Sequence, residues 1–168
     1  EIWIASGTYY PATLTIGSAL GSNPASFPEG LAIYGGFDGS ESSPADRNPS
    51  TPKTILSADV LGDDDGLDNR SDNVTRLFDI HAPLGTVSLN GLTLTGGNGF
   101  DARGSGGAIW CEDARLSLTD MTVLNHHAVD GGALGALNCS LNLDTVSFVH
   151  NQALLGGSGG AIYARGGS

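Results

Sequence analysis

The sequence has little positive charge and lacks the segments that enter membranes. Its 168 residues include only seven Lys and Arg against eighteen Asp and Glu, which gives a formal net charge of -11. A field of that sign repels phosphate backbones and anionic lipid, which argues against nucleic-acid and membrane-surface binding. There is no apolar run of about 18 residues and no basic segment followed by an apolar one. Neither a membrane span nor a signal peptide is therefore predicted.

The composition is rich in glycine. Hydrophobic residues make up 39% of the chain, which is too apolar for disorder, and 26 glycines are too many for a helical protein. The length fits one domain spanning residues 1–168. The chain opens on the strand-like phrase EIWI without an initiating Met and ends soon after a Gly-Gly phrase. We interpret it as a piece of a longer protein.

Two patterns recur along the chain. The first is a Gly-Gly pair followed by apolar residues, which begins at Gly106, Gly131 and Gly159. The second is a row of four apolar residues with a two-residue break in its middle. Its three copies start 29 and then 25 residues apart, and they are Val87, Leu89, Leu92, Leu94; Leu116, Leu118, Met121, Val123; and Leu141, Leu143, Val146, Phe148.

This repeat predicts an all-β parallel solenoid. Alternation within each half-row indicates two short strands, and breaks such as Asn90-Gly91 consist of turn formers that indicate a corner. The Gly-Gly phrase supplies a third strand, so each coil has three strands and about 25 to 29 residues. A β-sandwich would not require whole coils to repeat in register. We expect regular coils over 87–168 and irregular coils with insertions over 1–86.

Several phrases resemble known β-helix proteins. Phe148 to Asn151 ahead of the GGAI phrase at 159–162 resembles the repeats of chlamydial polymorphic outer-membrane proteins. EIWIASGTYYP, LAIYGGFDGSE and TILSADVLGDDDG are similar to phrases of large secreted bacterial proteins in the pectin-lyase-like superfamily. The resemblance implies a right-handed parallel β-helix. It leaves the activity open, because this fold carries adhesins, autotransporter passengers, lyases and hydrolases.

An acidic segment over 59–72 is the candidate metal site. It offers many hard oxygen ligands of the kind that Ca²⁺ prefers, although their spacing is not that of an EF-hand loop. The alternative is a solvated acidic loop. We predict no required cofactor, and Ca²⁺ is the ion that the oxygen ligands of this segment would bind. The predicted ligands are Asp63, Asp64, Asp65 and Asp68.

Histidines gather where two coils overlay. His126 falls level with Asn151, and His127 with Gln152. Imidazoles near a carboxylate suit metal binding or proton transfer. The alternative is a polar ladder in which stacked Asn, Gln and His satisfy backbone groups of a corner. The candidate binding residues are His126, His127, Asp130 and His150.

Catalysis is left open. Asp120 and Asp144 lie at one corner of adjacent coils, one position out of step, and are the candidate catalytic carboxylates for glycan cleavage. Their more ordinary role is to form the corner. No basic residue stands out as the base of a lyase, since the single lysine, Lys53, sits in a Pro-rich insertion.

The two cysteines overlay three positions apart. Cys111 falls level with Ala136, and Cys139 with Ala114. Three residues of extended chain span roughly 10 Å, which exceeds the reach of a disulfide unless the corner folds the chain back. Two buried thiols are the favoured interpretation, with a bond as the alternative.

The leading functional hypothesis is a structural or adhesive, non-catalytic β-helix segment of a secreted or cell-surface bacterial protein. The rival is a fragment of a polysaccharide-processing enzyme, either a lyase or a glycoside hydrolase. Candidate partners are carbohydrate and the surface of a host or neighbouring cell. Unpaired strand edges at the ends of a solenoid also predict end-to-end self-association.

Overall fold

The computed structural model describes residues 1–17, 30–48, 53–66, 68–81, 85–101, 103–154 and 156–167. These residues form sixteen strands and a 3₁₀ helix at Pro44–Asp46. Among them, no helix is long and apolar enough to span a membrane. The strands are β1 Ile2–Ala5, β2 Gly7–Tyr9, β3 Leu14–Gly17, β4 Leu31–Phe37, β5 Thr54–Ser57, β6 Phe78–His81, β7 Thr86–Asn90, β8 Leu92–Thr95, β9 Asn98–Gly99, β10 Ile109–Glu112, β11 Arg115–Leu124, β12 His127–Ala128, β13 Leu134–Leu137, β14 Ser140–Val149, β15 Gln152–Ala153 and β16 Ile162–Arg165.

The strands wind into a parallel β-solenoid of about five turns, with coils of about 29 residues. Three parallel sheets run along it. Their strand orders are β1-β4-β7-β11-β8-β5-β2 with β14 on β11, then β16-β13-β10-β6-β3, then β15-β12-β9. The predicted fold, with three strands in each coil, is confirmed.

The apolar rows stack in the predicted register. Leu116 pairs with Val87 on one side and with Leu141 on the other, which reproduces the steps of 29 and 25 residues. The first two rows point inward, and each of their side chains is at most 2% exposed. Burial of these stacked side chains is the main stabilising contribution to the core.

The two-residue breaks bend the chain, but in the second and third rows they do not end a strand as predicted, because β11 and β14 each run through the break as one ten-residue strand. Gly91, Asp120 and Thr145 occupy equivalent positions and have φ values of 71°, 52° and 55°. This left-handed conformation turns the chain, so the half-rows before and after it both face the interior. A similar column follows at Gly96, Asn125 and His150, with φ of 85°, 56° and 51°. Asn and Asp are the side chains that tolerate this conformation best after glycine.

The smallest sheet was not predicted. Its two-residue strands β9, β12 and β15 lie between the apolar rows and the Gly-Gly turns. His127 pairs with Asn98 and with Gln152 there. Such short strands carry no alternation that a sequence pattern can show, since period-2 patterns need about four residues.

The Gly-Gly phrases form the tight turn into the third strand. Gly106 has φ of 70°, and a Cβ added to it would lie 2.1 Å from the carbonyl oxygen of Ile109. The next residue, Gly107, donates its N–H to the oxygen of Gly132 on the following coil at 3.1 Å. Side chains at these positions would separate the coils, so the repeated phrase marks architecture.

The preference for two free thiols is wrong, because the structure joins Cys111 to Cys139 in a disulfide with a Cα–Cα distance of 6.0 Å. Both residues are buried, with 0% and 3% exposure. The 10 Å offset assumed an extended chain. Asn138 instead has φ of 51°, so the chain turns back just before Cys139 and brings the two sulfur atoms together.

Candidate functional site

A groove of about 370 Å³ opens at the corner that follows the paired residues Tyr34, Asn90 and Thr119. It crosses three successive coils, and the first two residues of β8 are part of its lining. The residues around it are mainly glycines, hydroxyls and charged side chains. They are Gly35, Gly36, Arg47, Asn48, Lys53, Gly91, Leu92, Thr93, Asp120 and Thr122.

Arg47 is held rigidly at the groove. Its Nε donates to the carbonyl oxygen of Pro44 and its Nη1 to that of Gly35, each at 3.1 Å. The guanidinium also lies 5.4 Å from the ring centre of Tyr34 and 5.8 Å from that of Phe37. These contacts fix the position of a positive charge without neutralising it.

Lys53 provides the second positive charge. Its Nζ lies 3.5 Å from Oγ1 of Thr122. Of the ion pairs among described residues, none involves Lys53 or Arg47. The groove therefore holds two cations that no described carboxylate neutralises.

The structure places the two candidate catalytic carboxylates on neighbouring strands, one position out of register. Asp120 lines the groove, whereas Asp144 pairs with Thr119 and accepts a hydrogen bond from the Thr145 hydroxyl at 3.2 Å. Both are exposed. Their offset of one position is as predicted, and of the two only Asp120 lines the groove that Arg47 and Lys53 also line.

The acidic segment gathers Asp59, Asp63 and Asp64, whose nearest oxygens lie within 4.8 Å of one another. Among the described residues, only this trio brings three potential metal ligands so close. Asp65 and Asp68 instead pair with each other through their backbones, in an isolated antiparallel β-bridge. The sequence-based set therefore shares Asp63 and Asp64 with the cluster and omits Asp59.

Hydrogen bonds already occupy much of this cluster. Asp59 accepts backbone N–H groups of Gly62, Asp63 and Asp64 at 2.7, 3.2 and 3.2 Å. Such bonds organise an acidic loop, and they are compatible both with a calcium site and with a solvated acidic loop.

The buried part of the loop is less completely satisfied. Asp64 pairs with the buried Arg70 at 3.4 Å and accepts from Asn73 at 3.0 Å. Its Oδ1 and the Oδ1 of Asn73 are buried without a donor. Burial raises the pKa of Asp64, although Asn73 and Arg70 oppose that change. One of these two oxygens therefore belongs to the trio itself, and the other to a side chain that hydrogen-bonds Asp64.

His126 and His127 act within a polar ladder. The Nδ1 of His126 accepts the N–H of Gly97 at 2.8 Å, and the N–H of His126 donates to Oδ1 of Asn151 at 3.0 Å. His127 contacts Oδ1 of Asn98 through Nε2 at 2.7 Å. The ladder thus joins three coils at one corner, which is the alternative role considered for these residues.

Burial governs the charge state of this ladder. His126 is 0% exposed, and desolvation lowers its pKa to about 3. Burial, with help from the positive charge of Arg70, also lowers the pKa of His127. Neutral imidazoles suit hydrogen bonding inside a solenoid and metal ligation alike.

The other two residues of the predicted histidine site flank the ladder along the chain, with His150 directly before Asn151 and Asp130 three residues after His127. His150 is exposed at its corner, and Asp130 accepts the N–H of Ser158 at 2.6 Å. No described group of three metal ligands includes them. A binding role for these four residues stays a prediction.

A charged network on the outer face of β6 and β10 escaped the sequence reasoning. His81 contacts Asp79 through Nε2 at 3.0 Å and Glu112 through Nδ1 at 3.3 Å. Arg103 pairs with Asp79 and lies 5.8 Å from the ring centre of Trp110. Asp79 thus has an ion-pair partner in Arg103 and a hydrogen-bond partner in His81. The pairing of β6 with β10 brings these residues together, and the irregular sequence of the first half of the chain contains no repeat that predicts this pairing.

One family comparison gives a match. Residues 145–165 match the Chlamydia polymorphic membrane protein repeat. These residues run from the corner of β14 through β15 to the end of β16, and they include the GGAI phrase. Neither the curated proteins nor the solved structures contain a match.

Proposed function

We propose that this chain is a β-helix segment of a bacterial surface or outer-membrane protein, with a structural or adhesive role and no catalysis of its own. The observation that carries the proposal is the match of residues 145–165 to a membrane-protein repeat of Chlamydia. In the structure the same residues form most of one coil. Stacked coils of this kind make a stiff rod, which suits the display of loops at a surface.

The disulfide supports an extracytoplasmic setting. Cys111 and Cys139 link neighbouring coils inside the core. Disulfides form and persist mainly in oxidising environments such as the periplasm and cell surfaces. A bonded pair therefore favours a secreted or surface location over the cytoplasm.

Adhesion requires variable outward features on a constant frame. The segments ahead of two Gly-Gly turns, residues 98–105 and 152–158, differ in sequence and include exposed residues, whereas 126–128 ahead of the remaining turn are buried. Contacts between coils brace their bases, since Ser105 bridges Asp130 and Asp130 binds Ser158. We place recognition of a host or neighbouring cell in these loops and in the groove.

A cell-binding assay tests the adhesive role. Beads coated with the 168-residue chain are expected to bind bacterial or host cells in a saturable way, and soluble chain should compete. Beads coated with the reduced and alkylated chain serve as the control for a folded surface. Binding that is neither saturable nor competed would contradict adhesion and leave the structural role.

The polysaccharide-processing alternative has one observation in its favour, which is the position of Asp120 beside Arg47 and Lys53 in a groove. A panel of acidic and neutral glycans, assayed with and without Ca²⁺, tests it. We expect no turnover. Turnover that disappears in Asp120→Asn, and not in Asp144→Asn, would establish the enzyme instead.

Self-association is a further part of the proposal. The apolar row of β14 is partly exposed, with Leu143 at 40%, and Ile2 of β1 is 45% exposed. Stacking of one copy on another would bury both surfaces. Sedimentation over a hundredfold range of concentration should show association, and a monomer at every concentration would contradict it.

A further inference from the structure

We propose that copies of this chain join head to tail, so that β1 and β2 of one copy add in parallel to β14 of another, and β3 adds to β16. The inference rests on the self-association proposed above and gives it a direction, a register and two defined surfaces. These surfaces are the two ends of the solenoid. We call them the first edge, formed by β1, β2 and β3, and the last edge, formed by β14 and β16.

Each of these five strands pairs on one side only among the described strands. β1, β2 and β3 pair with β4, β5 and β6, whereas β14 and β16 pair with β11 and β13. The outer backbone groups of such strands, over residues 143–149 of β14 for example, can hydrogen-bond to a further parallel strand. Because β1 and β14 belong to one sheet, and β3 and β16 to another, a second copy would continue both sheets at once.

The side-chain columns of the core are covered in the middle of the molecule and uncovered at both edges. Leu89 and Leu118 are 0% exposed, but the column that they share ends in Ile2 at 45% and in Leu143 at 40%. Leu14, at the first edge of another column, is 43% exposed. A coil of the same shape would cover these side chains as its neighbours cover the inner ones.

A second copy supplies that coil, because the two edges carry matching side chains at the two ends of each column. Three columns end in a pair of apolar residues, which are Ile2 and Leu143, Tyr9 and Phe148, and Leu14 and Ile162. Head-to-tail stacking brings the members of each pair together and removes their apolar surface from water.

The charges at the two edges are compatible with this register. The net charge of -11 repels copies at long range, so carboxylates placed opposite one another would add to the repulsion. In the head-to-tail register, Asp144 of the last edge faces Trp3, and Glu1 of the first edge faces Asn142. No column shared by the described residues of the two edges places like charges opposite one another.

The two edges are different surfaces, so the assembly does not close. A copy that is bound through its first edge still presents its last edge, and repetition therefore gives a filament. Contact between two first edges, or between two last edges, would instead pair the strands antiparallel and give a closed dimer. The direction of stacking is thus a property that an experiment can separate from association itself.

Two variants of the 168-residue chain that are blocked at opposite edges test the direction. Lysine on an edge strand discourages strand addition, so Leu143→Lys should block the last edge and Ile2→Lys the first. Sedimentation should show that each variant alone associates about a hundredfold more weakly than wild type, because an unpaired ammonium would be buried. An equimolar mixture should form a 1:1 dimer and nothing larger, since one intact edge of each kind remains.

Leu61→Lys is the matched control. Its side chain is 73% exposed and belongs to neither edge, so this variant should associate as wild type does. Melting curves establish that each variant is folded. Salt should strengthen association of the wild-type chain, because it screens the repulsion between copies while the proposed contacts are apolar.

Cysteine pairs test the register. When the Ile2→Cys and Leu143→Cys chains are mixed under oxidising conditions, they should form a disulfide between chains, since paired strands lie about 4.8 Å apart. Neither chain should cross-link to itself. Ile2→Cys mixed with Val149→Cys is the control for register, because position 149 lies about 20 Å further along β14, and this pair should not cross-link.

Three results would overturn the inference: full association of either blocked variant alone, a mixture of the two that stays monomeric, or cross-linking of the control pair as readily as of the in-register pair. Wild-type chain that stops at a closed dimer would remove the head-to-tail arrangement and preserve self-association. A monomer at every concentration would remove both. The bead assay for adhesion is read separately, so neither result decides the adhesive role.

Discussion

Two corners of the solenoid are stabilised by different interactions, one by a disulfide and the other by hydrogen bonds. At one, the disulfide between Cys111 and Cys139 crosses from coil to coil among buried apolar residues. At the other, His126 and its partners join the coils by hydrogen bonds, and the acidic loop packs over them through Arg70 and Asn73. Left-handed residues turn the chain at both, namely Asn138 and Asn125.

The difference shows what each kind of closure depends on. A covalent link among apolar side chains depends on the redox state of its surroundings and is indifferent to pH over the range in which proteins fold. A buried polar ladder depends on every member keeping its protonation state, because an unpaired or charged group in the interior is costly. The polar corner should therefore respond to acid, and the disulfide corner to reductant.

Acid should produce the largest effect, at the polar corner. The pKa of His126 is about 3 in the folded chain and near 6.5 when unfolded, so the unfolded state binds the proton first. The free energy of unfolding should fall as the pH is lowered from 6.5 towards 3, by up to about 1.4 kcal/mol per pH unit. Urea unfolding at several pH values measures it.

His126→Asn should reduce the decrease in the free energy of unfolding at low pH. His150→Asn, which removes an exposed imidazole, should leave that decrease unchanged. The raised pKa of Asp64 acts in the opposite direction, because the folded chain takes up that proton first as the pH falls. Asp64→Asn should therefore steepen the loss. Parallel curves for wild type and His126→Asn would contradict the assignment.

Loss of the disulfide should be the next largest effect. The bond closes a separation of 28 residues, so the Cys111→Ala, Cys139→Ala double variant should unfold with about 3 kcal/mol less free energy. Chemical denaturation at neutral pH measures the loss. Its acid slope should match that of wild type, since the polar corner is unchanged. A loss below about 1 kcal/mol would mean that the coils hold this corner without the bond.

A substitution at a corner that has neither a disulfide nor a buried polar ladder should change stability less. Thr145 is β-branched and has φ of 55°, a conformation that Asn adopts more readily. Thr145→Asn should stabilise the chain by about 1 kcal/mol in thermal unfolding. Thr119→Asn, in the regular part of β11, is the matched control and should destabilise, because Asn is a poor strand former. Destabilisation by both would show that Thr145 carries a contact outweighing its backbone cost.

Calcium should produce the smallest effect, and it tests the loop on the polar corner. A site of extracellular affinity at Asp59, Asp63 and Asp64 should add about 1 kcal/mol to the free energy of unfolding in millimolar Ca²⁺. Asp63→Asn should remove that gain, and Asp65→Asn, which alters a residue outside the trio, should keep it. Identical melting curves with Ca²⁺ and with chelator would leave the loop as a solvated acidic segment.

The predictable part of the structure is the part that repeats. Leu89 and Leu118 are found from their spacing alone, because each coil must place an apolar side chain at the same point of the core. The disulfide was missed because a corner shortens the path to Cys139. The groove was missed because Arg47 and Lys53 lie in irregular segments. Their approach to Asp120 depends on the pairing of Leu31 with Val87, which no period indicates.

The sequence by itself determined the parallel solenoid, its register over three coils and the glycine turns, because period-2 apolar rows and Gly-Gly pairs act locally and recur at every coil. Only the tertiary structure decided which distant side chains meet. It joined Cys111 to Cys139 and set Lys53 beside the groove. The physical reason is that left-handed corners and long insertions change distances in space that a count of residues treats as equal.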